Sequence, residues 1–284
     1  MSRFSTQTRA AVRPPVRAFV CALLLATTSA SAQDSLASEP RTWLQLHGTL
    51  GQWRLTTEGS DTFGFSTSTP LQAESQLGMK KQHGFAGVAL GRRIGQNWRI
   101  ELDRTSAKRS GSAVLASDLS SDGSTFARGT TLRSEISLTT LRINGGWSLW
   151  HTSEQEAGLI VGGQWVSVSR HFDGQQRQGV NSLTPVVASS SDVAPIPIIG
   201  GFGSFKLGSA WRLTGRLELG LGGDLHQQLQ LGAQWQATPN LALSAGYRAT
   251  RTDVDLLFGF IACCSQVKLD YRVHGPSLGL ELAF

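Results

Sequence analysis

Apolar and polar residues alternate with a period of two over much of this chain. In residues 211–221, one face of the pattern carries Trp211, Leu213, Leu217, Leu219 and Leu221, while the intervening positions are mostly charged or polar. Residues 225–237 and 241–251 repeat this alternation. A period of two predicts β-strands, each with one apolar and one polar face.

The same pattern, followed with less regularity upstream, predicts an all-β chain of about ten strands, with eight as the alternative because alternation is weak over 157–207. The strands are expected at about 42–57, 83–94, 97–109, 130–149, 157–172, 195–207, 211–221, 225–237, 241–251 and 266–284. The phase of alternation changes near Thr139–Thr140 and again at Gly275–Pro276. One extra residue in a strand reverses its faces, so both changes predict β-bulges.

The connections between these strands alternate in length. Short ones are expected at Gly95–Asn97, His151–Glu156, Gly208–Ala210 and Thr238–Asn240, and long polar ones at about 58–82, 110–129 and 173–194. On the long-loop side, 255–265 is intermediate in length and Gly222–Asp224 is short. Long loops at one end and an even strand number are typical of outer-membrane barrels. Only a closed sheet satisfies its backbone within hydrocarbon. The pattern therefore predicts a transmembrane antiparallel up-and-down β-barrel.

Tryptophan is concentrated near the expected short turns. Five of the eight Trp residues lie there, namely Trp43, Trp98, Trp150, Trp211 and Trp235. An indole ring favours the membrane interface, where its body meets apolar chains and its N–H meets water. We interpret the five as an interfacial girdle, the alternative being ordinary core residues.

The first 32 residues have the features of a Sec signal peptide. Four arginines and no acid precede the short apolar stretch Ala18–Ala26, and small residues follow at Ala30–Ala32. We therefore divide the chain into a signal peptide, 1–32, and a barrel domain, 33–284, exported to the cell outer membrane. Of the 26 Lys and Arg residues, 22 then remain against 20 Asp and Glu, which leaves no basic surface for nucleic acid.

The C-terminus carries a family resemblance. The chain ends in Gly275-Pro-Ser-Leu-Gly-Leu-Glu-Leu-Ala-Phe284, with apolar residues at every second position before Phe284. Together with Thr238–Arg248, this segment resembles the last hairpin of small, mostly uncharacterised Gram-negative outer-membrane β-barrel proteins. The resemblance implies that Phe284 ends a strand recognised by the barrel assembly machinery. It assigns no catalytic or ligand-binding residue.

The polar faces of the expected strands carry charges of both signs. The candidate lumen charges are Arg99, Glu101, Arg133, Glu135, Arg142, Arg212, Arg216, Glu218, Arg248, Lys268, Asp270 and Arg272. A barrel of eight to ten strands has an interior barely wider than its own side chains. Paired charges there predict a plug that fixes register. The excess of Arg leaves open a narrow, weakly anion-selective pore.

No pattern of residues in the sequence indicates that the protein catalyses a reaction. His274 lies three residues before Ser277, but proximity in sequence is not the geometry of a triad. We expect no catalytic, cofactor-binding or metal site, and no enzyme. Cys263 and Cys264 are neighbours, which bridge only in a strained ring, so we interpret them as small loop residues.

The expected function is therefore a structural or surface-interaction role through the long loops, since loops on a rigid barrel are natural binding sites. The alternative is a narrow pore for small solutes, or for apolar molecules if the apolar segment Leu256–Cys264 marks a route. A lipid-modifying outer-membrane hydrolase is less favoured. The expected partners are outer-membrane lipid, lipopolysaccharide, the assembly machinery and an unidentified loop ligand.

Overall fold

The chain forms a closed antiparallel β-barrel of ten strands. The computed structural model describes residues 42–58, 71–80, 82–121, 124–178, 182–221, 225–257 and 266–284. The barrel strands are β1 (Thr42–Glu58), β2 (Gln82–Ile94), β3 (Trp98–Val114), β4 (Thr131–His151), β5 (Gln155–Gln178), β6 (Ser182–Leu207), β7 (Trp211–Gly220), β8 (Leu225–Thr238), β9 (Leu241–Leu257) and β10 (Gln266–Ala283). The predicted signal peptide lies outside the described residues.

Each strand pairs with the next along the chain, and β1 also pairs with β10, which closes the cylinder. The predicted fold class is thus confirmed, with ten strands and not eight. Even strand number, sequential pairing and closure together are the architecture of outer-membrane barrels. None of the helices in the described ranges has both the length and the apolar character needed to cross a membrane.

The two ends of the barrel differ. At one end, the short-turn end, the strands connect through compact turns. Gly95 and Gly208 occupy positive φ there, at 62° and 71°, which a residue with a Cβ rarely adopts. The opposite, loop end carries the helix Ala73–Gln76 and short strands at Leu71–Gln72, Leu119–Ser121 and Ser124–Phe126.

The wall is also uneven at the loop end. Strands β4, β5 and β6 are 21, 24 and 26 residues long, whereas β7 has only 10. The prediction of a long loop over 173–194 is therefore wrong, because most of that segment extends the β5–β6 hairpin. Ser189 and Ser191 lie on the exposed outer face of this strand pair, not in an irregular loop. The long strands form a wall that rises above the rest of the barrel.

An apolar band surrounds the outside of the barrel on the short-turn side. Its exposed members include Leu46, Val88, Leu90, Ile100, Leu102, Leu141, Ile143, Leu159, Val161, Ile199, Leu213, Leu217, Leu219, Leu231, Leu243, Leu278 and Leu282. Beyond the band, the outer face turns polar at Arg104, Ser106, Lys108, Arg133, Ser169, Arg251 and Arg272. A water-soluble sheet would not expose such a continuous band, whereas hydrocarbon requires it.

The interior has two zones of opposite character. On the short-turn side it is charged, and towards the loop end it becomes mainly apolar, although Arg109, which bonds Glu74 at 2.9 Å, and Arg170 are also buried there. We call this apolar zone the loop-end core; it contains Phe85, Ala107, Leu132, Ile136, Leu138, Val166, Val168, Phe172, Ile196, Ile198, Tyr271 and Val273, with Leu77, Met79, Leu115, Leu119 and Phe126 from the connections. At one level along the barrel axis, the apolar residues therefore change from the outer face of the wall to the inner face, and the polar residues change from the inner face to the outer face.

This exchange corrects both predicted bulges. In β4, Leu132, Ile136 and Leu138 share the inner face with Arg142, and the pairing with β3 runs without a break past Thr139–Thr140. The irregularity in β4 lies instead between Ser148 and Trp150. In β10 the register with β9 continues through Gly275–Pro276. The apparent change of phase is a change of environment along a regular strand.

Candidate functional site

Five charged side chains from strands β3, β4 and β7 meet across the barrel, inside its short-turn half. We call Glu101, Asp103, Arg142, Arg216 and Glu218 the charged cluster. Arg142 Nη1 lies 2.6 Å from Glu218 Oε2, and Arg216 Nε lies 2.6 Å from Glu218 Oε1. Arg216 Nη1 also donates to Glu101 at 2.5 Å. Glu218 is therefore held by two guanidinium groups while being 0% exposed.

Further polar pairs surround the charged cluster. His47 Nε2 lies 3.1 Å from Asp103 Oδ2, and Arg248 donates to Gln230 Oε1 at 3.0 Å. The guanidinium carbon of Arg99 sits 3.3 Å from the centre of the Phe202 ring, a cation–π contact. These side chains point inward from five strands, β1, β3, β6, β8 and β9.

The short-turn mouth has its own ion pair. Arg93 Nη2 and Ser148 Oγ both lie 2.6 Å from Glu156 Oε1. His151 borders the 152–154 turn beyond the apolar band, and burial lowers its pKa, with the nearby Arg93 acting in the same direction. These bonds link β2, β4 and β5 at the mouth.

The two interior zones leave little open space between them. A cavity of about 40 Å³ lies where the charged cluster meets the loop-end core. That volume has room for a few water-sized spheres, since one water needs roughly 10–15 Å³.

Most of the candidate lumen charges lie on the inner face. Arg99, Glu101, Arg142, Arg216, Glu218 and Arg248 do so, and Arg212 shares that face of β7 at the exposed short-turn mouth. The structure corrects three assignments: Arg133, Glu135 and Arg272 face outward. They lie beyond the apolar band, where water surrounds the wall and polar residues belong outside. The side chains of Lys268 and Asp270 lie outside the described part of the structure.

The tryptophans are distributed around the short-turn end, though not all as predicted. Trp98, Trp211 and Trp235 are exposed on the outer face. Trp147, which the prediction omitted, is also exposed and stacks on Trp98 with ring centres 5.9 Å apart. Trp43 differs, because it shares the inner face of β1 with His47 and packs over Gly91.

Trp150 is partly buried, and its indole Nε1 has no hydrogen-bond partner among the described residues. Trp150 comes directly after the register shift in β4, so simple alternation does not predict which face of the strand its side chain occupies.

Sequence reasoning missed Arg93, Glu156 and Phe202. On the inner face of β2, the residues next to Arg93 are the small residues Ala89 and Gly91. Because small residues are neither clearly polar nor clearly apolar, alternation in this strand does not indicate that Arg93 faces inward. Glu156 was assigned to a turn. Phe202 lies in a Gly-rich segment, where alternation does not indicate which face of the strand an aromatic side chain occupies.

The one Ser–His pair considered for catalysis is separated by the sheet. Ser277 is buried on the inner face, whereas His274 is exposed on the outer face and bonds Tyr247 Oη through Nδ1 at 3.1 Å. Buried His226 bonds Thr252 Oγ1 at 2.8 Å. Within the described ranges, no three His, Cys, Asp or Glu side chains form a group suited to a metal ion. Cys263 and Cys264 fall outside those ranges.

The raised β4–β6 wall has a free edge. Residues 182–196 of β6 pair with β5 but, among the described strands, have no partner on the β7 side. The carbonyl of Pro197 accepts from the Leu221 N–H, so odd-numbered residues of β6 direct their backbone groups to that side. Pro185 and Pro195 are odd-numbered. Their missing N–H groups blunt the free edge without weakening the pairing to β5.

Comparison with known proteins adds little. No protein-family model and no curated protein sequence match this chain. The translocator domain of the autotransporter NalP from Neisseria meningitidis has a TM-score of 0.41 at 12% identity, covering 88% of this chain and 89% of that one. Ail, the attachment invasion locus protein of Yersinia pestis, in complex with the heparin analogue sucrose octasulfate, gives 0.38 at 9%, covering 87% and 100%.

Neisserial surface protein A gives a TM-score of 0.31 at 12% identity, covering 86% of this chain and 97% of that one. Scores this low carry no argument about this chain, so the fold described here rests on its own strand pairing.

Proposed function

We propose that this protein is a non-enzymatic outer-membrane barrel, closed to solutes, that supports an interaction surface outside the cell. The observation that carries the proposal is the filled interior. The charged cluster occupies one half, the loop-end core occupies the other, and the cavity between them measures about 40 Å³. A channel needs a continuous polar path, which two such zones in series do not supply.

The outward apolar band supports the membrane location. Strand β7 crosses it with Trp211, Leu213, Leu217 and Leu219 exposed over about ten residues, the length a tilted transmembrane strand needs. We place the short-turn end in the periplasm and the loop end outside the cell, as in bacterial barrels generally. Residues 1–32 would direct export through the Sec pathway.

The raised β4–β6 wall supports the surface role. It extends past the band, has a polar outer face and carries apolar side chains such as Val187 and Val193 that are 58% and 52% exposed. A rigid sheet above the membrane can present these groups to a partner without large ordering costs. The partner itself is not specified by the geometry.

Single-channel recording in a planar bilayer tests the proposal. Protein refolded from residues 33–284 should show the heat-modifiable migration of a folded barrel and remain electrically silent. Stable, ion-selective steps from the folded protein would overturn the proposal and favour the narrow pore.

Lipopolysaccharide is a further partner that belongs to this proposal. Arg104, Arg133, Arg251 and Arg272 face outward just beyond the apolar band, where lipopolysaccharide presents phosphates. Arg251→Gln should weaken retention of lipopolysaccharide on the purified barrel, whereas Arg212→Gln, at the opposite end, should not. Equal retention by both variants would count against this contact.

The C-terminus would be read by the barrel assembly machinery. The Phe284 side chain is 74% exposed, while its N–H donates to the Thr42 carbonyl at 2.9 Å. Removing Phe284 should lower the amount of folded protein in the outer membrane. Deleting Phe284 without any loss of folded protein would remove this role.

A further inference from the structure

The internal cavity has a divided lining. Phe85, Leu138 and Val273 form its apolar side towards the loop-end core. Thr49, Arg142 and Arg248 line its polar side towards the charged cluster. A cavity bounded by guanidinium groups on one side and hydrocarbon on the other suits a weakly hydrated anion better than a cation.

Three donors on the polar side have no partner in the described structure. They are Thr49 Oγ1, Arg142 Nε and Arg248 Nε. Thr49 is 2% exposed and Arg142 is 4% exposed, so bulk water does not satisfy them. A buried donor left unpaired costs about 1–3 kcal/mol, and more when the group is charged. Something within the cavity is therefore expected to accept from them.

The charges around the cavity are also unbalanced. Arg142 reaches the carboxylates of Glu218 and Asp103, at 2.6 and 3.6 Å. Arg248 differs, because among the described residues its bonded partner is the neutral amide of Gln230 and no carboxylate lies within 4.0 Å. A buried guanidinium without an anionic partner is costly, and an anion beside it removes that cost.

We propose that this cavity binds one small monovalent anion of the size of chloride, held by Arg248 and Arg142 with the Thr49 hydroxyl as a third donor. The cavity of about 40 Å³ has room for an ion of this size. The site lies in the interior of the barrel and is separate from the surface role proposed above. Bound anion would tie β1, β4 and β9 together across the barrel.

The test compares anions at constant ionic strength. Protein in detergent micelles is unfolded with urea while sodium chloride replaces sodium gluconate, whose anion is too large for the cavity. The urea midpoint, followed by tryptophan emission, should rise saturably with chloride and with bromide. Equal midpoints in all three salts would mean that the cavity holds only water, and would overturn the proposal.

The variant Arg248→Gln tests whether the anion binds in this cavity. It should weaken the apparent chloride affinity at least about tenfold, because one charge-assisted hydrogen bond and the surplus charge are lost. In gluconate this variant should be no less stable than the parent, since it removes an uncompensated buried cation. The matched control, Arg212→Gln at the exposed mouth, should keep the full chloride response.

Thr49→Val provides a second variant that preserves volume and charge. It should weaken the chloride response about threefold, the effect of one neutral hydrogen bond. A chloride response that is unchanged in both Arg248→Gln and Thr49→Val would place the anion elsewhere and refute this site. In a crystal grown with bromide, an anomalous peak between Arg248 and Thr49 is expected, and its absence at saturating bromide would refute the site.

Discussion

The two halves of the barrel interior are built from the same strands yet held together by different forces. In the short-turn half, the wall is surrounded by apolar side chains and encloses the charged cluster. In the loop-end half, the wall is polar outside and encloses the loop-end core. A membrane outside forces polar groups inward, whereas water outside lets the hydrophobic effect fill the interior. The comparison shows that the surroundings, and not the strand itself, decide what a strand encloses.

The largest expected effect comes from breaking the charged cluster. Glu218→Gln removes the carboxylate shared by Arg142 and Arg216. Among the described carboxylates, Arg142 then keeps only Asp103, 3.6 Å away, and Arg216 keeps only Glu101. Such a loss costs about 3–5 kcal/mol of unfolding free energy. Urea unfolding followed by tryptophan emission measures it.

The matched control is Glu135→Gln, which breaks the exposed outer-face pair of Glu135 with Lys108, 2.6 Å apart. An exposed pair contributes about 0–1 kcal/mol. Similar losses for the two variants would show that the charged cluster does not stabilise the short-turn half.

A comparable but local effect is expected in the other half. Phe172, 0% exposed, packs edge-on against Phe126 with ring centres 6.3 Å apart. Phe172→Ala should cost about 3–4 kcal/mol through lost burial and the cavity left behind. Because these contacts lie beyond the apolar band, protease sensitivity of the raised wall should increase while heat-modifiable migration persists.

The control for this change is Val187→Ala, since Val187 is exposed on the outer face of the same hairpin. It should leave protease sensitivity unchanged. Loss of heat-modifiable migration in Phe172→Ala would mean that the two halves unfold as one unit.

A smaller effect tests the cation–π contact between Arg99 and Phe202 inside the charged half. Phe202→Leu keeps an apolar side chain but removes the ring beneath Arg99. A desolvated cation–π contact contributes up to about 2 kcal/mol, so a loss of about 1–2 kcal/mol is expected in urea unfolding. Phe205→Leu, which changes an exposed outer-face ring, should cost less; the reverse order would argue against the contact.

The smallest effect on stability concerns the free edge of β6. Replacing Pro185 and Pro195 with Thr restores two N–H groups on the unpaired side. The free energy of unfolding should change by less than about 1 kcal/mol, but self-association should increase with concentration in analytical ultracentrifugation. Pro239→Thr, in a short turn, is the control. A doubly substituted protein that stays as monodisperse as the control would show that the edge is protected in another way.

Period-two alternation predicted ten strands, with eight as the alternative, and the lengths of the connections indicated which end of the barrel has short turns. That inference worked best in β7 and β8, where one strand stays within a single environment and Trp211 to Leu221 repeats without interruption. Arg99, Glu101, Arg142, Arg216 and Glu218 were placed inside for the same reason. Their partners were not predictable, because residues brought together across the barrel are far apart in sequence.

Only the tertiary structure decided where the membrane band ends. Leu132–Leu138 and Leu141–Leu149 were interpreted as two faces separated by a bulge, although both belong to one regular strand that leaves the hydrocarbon midway. The same boundary put Arg133, Glu135 and Arg272 outside and extended β5 and β6 through the predicted loop. Alternation records which side of a strand is apolar. It does not record whether that side meets lipid or core, because both select the same residues.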